Sequence, residues 1–174
     1  MPSLIDPRLI EPQCADVQPI ETLHQNPWFS LKSRGDFFTI KQRFGVILIM
    51  PFVEGNSIVL VEVKRLVLND MHSLEIPAGG IEKGESPQEG TLRELYEETG
   101  IKISADRLKQ QSPIALFPRD PCLAYIYEAK TSMNEFLEKA QHDEEISQVR
   151  LLNLTIFTNS VSYTHLTLPT KRIV

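Results

Sequence analysis

The fold and the chemistry of this chain both depend on residues 79–101, which read GGIEKGESPQEGTLRELYEETGI. Ser86 is a suitable N-cap, a proline follows at the first helical position, and Glu89 completes a capping box with Ser86. Gly100 can take the left-handed conformation that commonly ends a helix. The stretch therefore predicts one short helix over residues 87–99, preceded by a glycine-rich loop.

Three glutamates gather towards the end of this predicted helix. Glu94, Glu97 and Glu98 occupy positions i, i+3 and i+4, so they share one helical face. Their negative charges repel one another, and the C-terminal end of a helix disfavours anions further. One interpretation is a solvated acidic face on which Arg93 reaches Glu89 and Glu97. The other is a metal site, because hard Mg²⁺ or Mn²⁺ prefers carboxylate oxygens and would remove the repulsion.

The spacing of these residues resembles the signature of the Nudix hydrolases at every fixed position. That signature is a glycine, five residues, a glutamate, seven residues, Arg-Glu, an aliphatic residue, any residue, Glu-Glu, any residue, a glycine and an aliphatic residue. Here it begins at Gly79 and ends at Ile101, and a looser resemblance extends from about Asn26 to about Leu154. One departure is Gly90, where alanine is common. Glycine costs about 1 kcal/mol in a helix interior, and we interpret it as tolerated.

The resemblance implies a metal site. It assigns metal binding to the backbone carbonyl of Ala78 and to the carboxylates of Glu94, Glu97 and Glu98. The implied cofactor is Mg²⁺ or Mn²⁺. Arg93 is implied to hold Glu85 and the glutamate cluster in place, and Gly79 and Gly80 to let the loop turn tightly beside the helix.

The resemblance also implies the fold class, which is α/β. The expected architecture is a Nudix-type α/β/α sandwich with a mixed β-sheet and an N-terminal β-hairpin. In that fold the signature helix packs against the sheet. Periodicity alone supports only a mixed α/β chain.

Nudix hydrolases cleave a nucleoside diphosphate linked to another group, and their metals neutralise the diphosphate and lower the pKa of a bound water. Residues 60–65, LVEVKR, and residues 73–80, SLEIPAGG, resemble the branch that acts on ADP-ribose and other nucleoside diphosphate sugars. In that branch an arginine matching Arg65 and a glutamate matching Glu75 lie near the substrate. A salt bridge between these two residues is an equally good interpretation. The implied partner is therefore a small-molecule nucleoside diphosphate, and the implied product is a nucleoside monophosphate.

The N-terminal hairpin, predicted over residues 28–41 with a turn at residues 33–36, resembles the same branch. There such a hairpin often builds a homodimer and contributes aromatic side chains that stack on the base. Trp28 is the first candidate for stacking. A tryptophan in the core or at a dimer interface is the alternative, because aromatic residues dominate such contacts.

A late acidic segment supplies candidates for the general base. Residues 142–145 read HDEE, and in related enzymes a glutamate on a late loop activates the attacking water. Glu144 and Glu145 are both candidates, and an ordinary acidic loop is the alternative. Glu98 or a metal-bound hydroxide could serve instead. The catalytic candidates are therefore Arg93, Glu97, Glu98, Glu144 and Glu145.

Two rival functions stay open. The first is a Nudix hydrolase that acts on dinucleoside polyphosphates, NADH or oxidised nucleotides, although the NADH-specific string SQPWPFPxS has no match in the chain. The second is a nucleotide sensor that binds without cutting. Such modules usually carry a degraded signature, whereas this signature keeps all its carboxylates.

Composition narrows the class of protein. The chain has 174 residues and a net charge of −5 without a basic block, which argues against general affinity for nucleic acid. Cys14 and Cys122 form no disulfide framework, as fits a reducing cytoplasm. The start of the chain does not read as a signal peptide, and the apolar run over residues 44–53 is too short to span a bilayer. We therefore expect a cytoplasmic protein that binds neither membrane nor nucleic acid.

The chain divides into three expected regions, which are a loosely structured lead-in over residues 1–27, a Nudix domain over residues 28–160 and a tail over residues 161–174. Strands are predicted at residues 46–52, 57–64, from 103 onward, 114–117, 123–129 and 145–152. Helical character is predicted at residues 132–140 and from Leu154 onward, and a loop at residues 118–121.

The tail needs a separate interpretation. Residues 161–170 read VSYTHLTLPT, and a DNA string that encodes them resembles the transposon-end adaptor of short-read sequencing libraries. We expect Val161–Val174 to be translated adaptor, which is left out of fold reasoning. On this interpretation the helix that begins near Leu154 is cut short, and an apolar patch is left exposed where it would dock. A natural terminal strand is the alternative.

Overall fold

The computed structural model describes residues 13–42, 44–115 and 122–154, and it arranges their strands in two sheets. The smaller sheet is antiparallel, in the order β1-β2-β3, with bounds Ile20–Gln25, Phe29–Arg34 and Phe37–Gln42. Gly35 takes the positive φ of 55° in the turn between β2 and β3, which confirms the predicted hairpin. The loosely structured lead-in is wrong for residues 20–25, because their backbone groups pair with β2.

Within the described part of the chain, the larger sheet has eight strands of mixed direction. Its strands are β4 (Val46–Val53), β5 (Ser57–Arg65), β6 (Met71–Glu75), β7 (Ala78–Gly80), β8 (Leu108–Gln110), β9 (Ile114–Ala115), β10 (Leu123–Thr131) and β11 (Ile146–Asn153). The order is β11-β5-β4-β10-β8, while β6 pairs with β5, β7 with β4 and β9 with β10. β10 runs parallel to β4, and the other pairs are antiparallel. The predicted α/β fold with a mixed sheet is confirmed.

The long helix α1 spans Pro87–Thr99, with the bounds that the sequence predicts. The Ser86 hydroxyl accepts from the backbone N–H of Glu89, and the Glu89 carboxylate accepts from the Ser86 N–H at 2.9 Å. At the other end Gly100 has φ 71° and donates its N–H to Tyr96 O at 2.8 Å. Both caps are local, so a short run of residues determines where this helix begins and ends.

One face of α1 packs against β4 and β7 and covers one side of the hydrophobic core. The buried residues that form this core are Ile47, Ile49, Val53, Val59, Val61, Val63, Leu95, Ile101, Ala129, Ile146 and Val149. Leu95 is fully buried in the middle of α1, and burial of such a side chain contributes about 1.5–3 kcal/mol. This packing holds the acidic face of the helix in a fixed position above the sheet.

The segment after α1 differs from the prediction of a strand beginning at Ile103. Residues 105–107 form a 3₁₀ turn, and the strand β8 begins only at Leu108. Ile101 and Ile103 are apolar because they pack against the core, not because they alternate along a strand. Strands β6 and β7 also lie where no strand was predicted.

Later elements follow the prediction more closely. β10 and β11 lie where strands were predicted, and α2 spans Met133–Leu137 within the predicted helical segment 132–140. The strand predicted at residues 114–117 is present as β9, although residues 116–117 and the loop at 118–121 lie outside the described residues. Leu154 is the last described residue, and the rest of the helix predicted to begin there, with the tail after it, lies outside them as well. None of the helices that the structure describes is long and apolar enough to cross a membrane.

Candidate functional site

The acidic helix α1 lies on glycine residues of β7. A Cβ added at Gly79 would lie 1.9 Å from Glu94 Oε1 and 2.0 Å from Glu94 Cδ, whereas nothing lies within 4 Å of a Cβ at Gly80. The expectation of a tight glycine turn is wrong here, because Gly79 and Gly80 belong to a strand and neither has positive φ. Gly79 leaves room for the Glu94 carboxylate, and the turn is made by Gly84 at φ 89°.

Arg93 connects the carboxylates of the site. Its Nε and Nη2 each donate to Glu85 at 2.9 Å, and its Nη1 donates to Glu94 Oε1 and Glu97 Oε2 at 2.9 Å. Nη2 also donates to Gly80 O at 2.8 Å, which ties the helix to β7. The hydrogen bonding of Arg93 to Glu85 is the main cause that raises the pKa of Arg93. The expected pair of Arg93 with Glu89 is absent, since Glu89 bonds to the N-cap Ser86.

Glu98 and Glu94 are half-buried carboxylates. Burial raises the pKa of Glu98 to about 7, against the hydrogen bond that its Oε2 accepts from Ala78 N at 2.9 Å. Burial also raises the pKa of Glu94, and Arg93 opposes that shift. Negative charge is therefore costly at both positions unless a cation lies close to them.

The carboxylates of Glu94, Glu97 and Glu98 are suitable ligands for a hard divalent cation, but their present arrangement does not form a metal site. Within residues 13–42, 44–115 and 122–154, no group of three or more His, Cys, Asp or Glu side chains could hold a metal ion as it stands. Glu94 and Glu97 point at the same Arg93 nitrogen, and Glu98 points at Ala78 N. Metal binding would require these side chains to turn from their present donors. Their carboxylate oxygens are nevertheless the ligands that Mg²⁺ and Mn²⁺ prefer.

Arg65 and Glu75 form the salt bridge that the sequence allows as an alternative to substrate contact. Arg65 Nε donates to Glu75 Oε1 at 2.9 Å, and Nη2 donates to Oε2 at 2.5 Å. Glu75 is the main cause of the raised pKa of Arg65, and the charges of Glu98 and Glu145 add to it. Arg65 thus lies between the acidic helix and the late acidic segment.

The late acidic segment lies at the end of α1. Asp143 donates its backbone N–H to Glu97 O at 2.8 Å, and Ile146 donates to Asp143 O at 3.1 Å. Glu144 and Glu145 occupy the exposed turn between these two bonds. The general-base candidates Glu144 and Glu145 therefore follow directly after the residue that contacts the last turn of α1.

Trp28 lies in the turn between β1 and β2 and is 73% exposed. Asn26 Oδ1 accepts the backbone N–H groups of Trp28 and Phe29 at 2.9 and 2.8 Å, which shapes this turn. The interpretation of Trp28 as a core residue is wrong. Stacking on a base and burial at a dimer interface stay predictions.

The comparisons with known proteins point to one family. The family model of the NUDIX domain matches residues 41–165, which include the whole signature. The methanol dehydrogenase activator of Bacillus methanolicus is 34% identical over 116 residues, which are 64% of this chain and 58% of that protein. The RNA pyrophosphohydrolase of Azorhizobium caulinodans is 64% identical over 31 residues, which are 18% of either chain. The chain thus matches less than two thirds of the length of either relative.

Solved structures agree with the fold. A crystal structure of an ADP compounds hydrolase has a TM-score of 0.61 at 19% identity, covering 83% of this chain and 81% of that one. A MutT/nudix family protein from Enterococcus faecalis has a TM-score of 0.51 at 22% identity, covering 63% and 43%. At these identities the likeness shows the fold alone. With the family model matched over most of its length and the signature intact on α1, the chain belongs to the NUDIX domain family.

Proposed function

We propose that this protein is a metal-dependent pyrophosphohydrolase that cleaves a nucleoside diphosphate derivative and releases a nucleoside monophosphate. ADP-ribose or a nucleotide sugar is the proposed substrate. The observation that carries the proposal is the half-buried acidic face of α1, which lies on Gly79 and is held by Arg93. Burial raises the pKa values of two carboxyl groups on that face, those of Glu94 and Glu98.

In this proposal Mg²⁺ or Mn²⁺ would be held by Glu94, Glu97 and Glu98, together with the carbonyl of Ala78. When bound, such an ion neutralises the diphosphate and lowers the pKa of a bound water. Arg93 keeps Glu85, Glu94 and Glu97 in one cluster and is a positioning residue in this scheme. The cost of gathering these charges is then offset by the cation and not by solvent.

Glu145 is the better supported of the two late candidates for the general base. Its charge acts on Arg65, as does the charge of Glu98 of the acidic helix. The Arg65–Glu75 salt bridge would then orient the guanidinium towards the substrate, which reconciles the two interpretations of this pair.

The N-terminal sheet is the proposed homodimer contact. Trp28, in a turn of this small sheet, and Phe37 and Phe38 of β3 are large exposed aromatic side chains, a residue type that is enriched at interfaces. A cytoplasmic location is proposed because Cys14 and Cys122 form no disulfide with each other, as fits a reducing compartment.

A second candidate substrate is the 5′ end of RNA. It is favoured by the 31-residue match to an RNA pyrophosphohydrolase. That match is too short to carry substrate preference, and the net charge of −5 opposes broad contact with an RNA backbone. We therefore place it behind ADP-ribose and nucleotide sugars, together with dinucleoside polyphosphates, NADH and oxidised nucleotides.

The test is a substrate panel with Mg²⁺ and, separately, Mn²⁺. The panel holds ADP-ribose, nucleotide sugars, NADH, dinucleoside polyphosphates, oxidised nucleotides and 5′-triphosphorylated RNA. We expect nucleoside monophosphate from ADP-ribose or a nucleotide sugar, and loss of turnover when the metal is chelated. Tight nucleotide binding without product in either metal would instead identify a sensor.

A further inference from the structure

The segment that links α2 to β11, residues 138–145, is held at both of its ends. At its start, the capping box of Ser132 and Glu135 fixes α2, and Arg107 pairs with the same glutamate. At its end, Ile146 is 5% exposed and pairs with Val63 of β5. We refer to residues 138–145 as the α2–β11 segment.

Between these ends, the α2–β11 segment docks on the last turn of α1 through backbone hydrogen bonds. Ala140 donates its N–H to Gly100 O at 3.0 Å, and Asp143 donates its N–H to Glu97 O at 2.8 Å. The carbonyls in the last turn of a helix have no partner inside the helix, so they are free to accept such donors. These two bonds hold the segment next to the helical turn that carries Glu97 and Glu98.

Gly100 is the residue that leaves room for this docking. A Cβ at this position would lie 2.1 Å from Ala140 O and 2.7 Å from Ala140 C. These are backbone atoms, so a side chain could be accommodated only if the segment moved away. The left-handed φ of 71° is a separate requirement, which asparagine also tolerates.

We infer that Gly100 is a positioning residue: by leaving its Cβ position empty, it lets the α2–β11 segment dock on α1 and holds the turn that carries Glu145 at the end of the acidic helix. Glu145 lies in the exposed turn between the Asp143–Glu97 and Ile146–Asp143 hydrogen bonds, and its charge acts on Arg65. The docking stands on the geometry alone. Its consequence for turnover rests on the proposed function.

Two asparagine variants separate docking from backbone strain. Gly100→Asn keeps a residue that tolerates positive φ but places a Cβ against Ala140 O. Gly55→Asn is the matched control, since Gly55 has φ 82° and nothing within 4 Å of its Cβ position. Amide hydrogen exchange of Ala140 and Asp143 is measured in both, together with kcat and KM for the nucleotide that the unaltered protein turns over.

We expect Gly100→Asn to speed exchange at Ala140 and Asp143 by about tenfold or more, while amides in the middle of α1 stay protected. The kcat should fall on the order of 100-fold with a much smaller change in KM, because the segment is misplaced relative to the cluster. Gly55→Asn should change neither quantity. Unchanged protection in Gly100→Asn would overturn the docking, and lost protection with full kcat would overturn the positioning role.

A second pair of variants keeps the inference testable if Gly100→Asn does not fold. Asp143→Pro removes the backbone donor to Glu97 O, whereas Asp143→Ala keeps it. Only the proline variant should lose kcat and the protection at Ala140. If the unaltered protein turns over none of the nucleotides, the proposed function fails, and amide exchange still decides whether the segment docks.

Discussion

The carboxylate of Glu94 lies directly against the backbone of Gly79. The space that any side chain would fill at residue 79 is occupied by Glu94, whose Oε1 is 1.9 Å from the ideal Cβ position. A side chain at residue 79 would therefore meet the carboxylate end of Glu94, which would have to turn away from its hydrogen bond to Arg93. The half-buried carboxylate of Glu94 therefore lies between α1 and β7.

Gly79→Ala should displace Glu94 and weaken both the fold and the activity. A methyl group inserted into so tight a contact costs about 1–3 kcal/mol, and a misplaced carboxylate should lower kcat by about tenfold or more. Urea unfolding and steady-state kinetics measure the two effects. Gly80→Ala is the matched control, because its Cβ would have no neighbour within 4 Å and its stability should change by less than about 0.5 kcal/mol. Equal effects of the two substitutions would contradict the packing argument.

Gly90→Ala should destabilise the protein although alanine favours helices. Alanine gains about 1 kcal/mol of helix propensity, but its Cβ would lie 2.5 Å from Ile47 Cδ1, and overpacking costs about 1–3 kcal/mol. Ile47→Val removes that methyl group and leaves the Glu85 carboxylate, whose Oε2 is 2.9 Å from the Cβ position, so Gly90→Ala should cost less in the Ile47→Val background. Chemical denaturation of the four proteins in this double-mutant cycle gives the coupling. Additive effects would mean that the contact with Ile47 is not the cause.

Glu97→Gln and Glu98→Gln should each reduce turnover on the order of 100-fold or more while the fold is kept, because each removes a proposed metal ligand. Kinetics at saturating Mg²⁺, with circular dichroism as the check on folding, measure the outcome. Glu54→Gln, in the exposed turn between β4 and β5, is a control for the loss of one carboxylate outside the cluster. Full activity in both cluster variants would place the metal site elsewhere.

The Arg107–Glu135 pair should stabilise the protein in a defined range of pH. Arg107 is the main cause that lowers the pKa of Glu135 to about 2, and the two side chains are only 30% and 29% exposed. A carboxyl group with a lowered pKa stabilises the fold above its unfolded pKa and loses that contribution as the pH falls through the folded pKa. Arg107→Gln should therefore cost about 1 kcal/mol near neutral pH, and the cost should shrink between about pH 4.5 and about pH 2.

Denaturant unfolding across that range of pH checks the prediction. Lys109→Gln serves as the control, because Lys109 is 65% exposed and its pair with Glu128 is 3.3 Å long. An exposed pair of this kind should contribute close to nothing. A cost for Arg107→Gln that stays constant down to about pH 2 would contradict the assignment of this contribution to Glu135.

Predictions that depend on neighbouring residues in the chain agree with the structure. The helix bounds of α1 follow from Ser86, Glu89 and Gly100, which act within one turn of either end. The hairpin of β2 and β3 follows from the turn glycine Gly35 and the alternating residues beside it. Predictions that used apolar pattern alone were weaker, because Ile103 packs on the core without belonging to a strand.

The sequence by itself determined the family signature, the helix that carries it and the residue types of the acidic cluster, since spacing along a helix follows from local geometry. Only the tertiary structure decided which glycines are required by close packing, that Arg65 pairs with Glu75, and that the α2–β11 segment returns to the end of α1. Those features join residues that are distant in the chain. Distances between such residues depend on how the strands and the helix pack, and no local pattern records them.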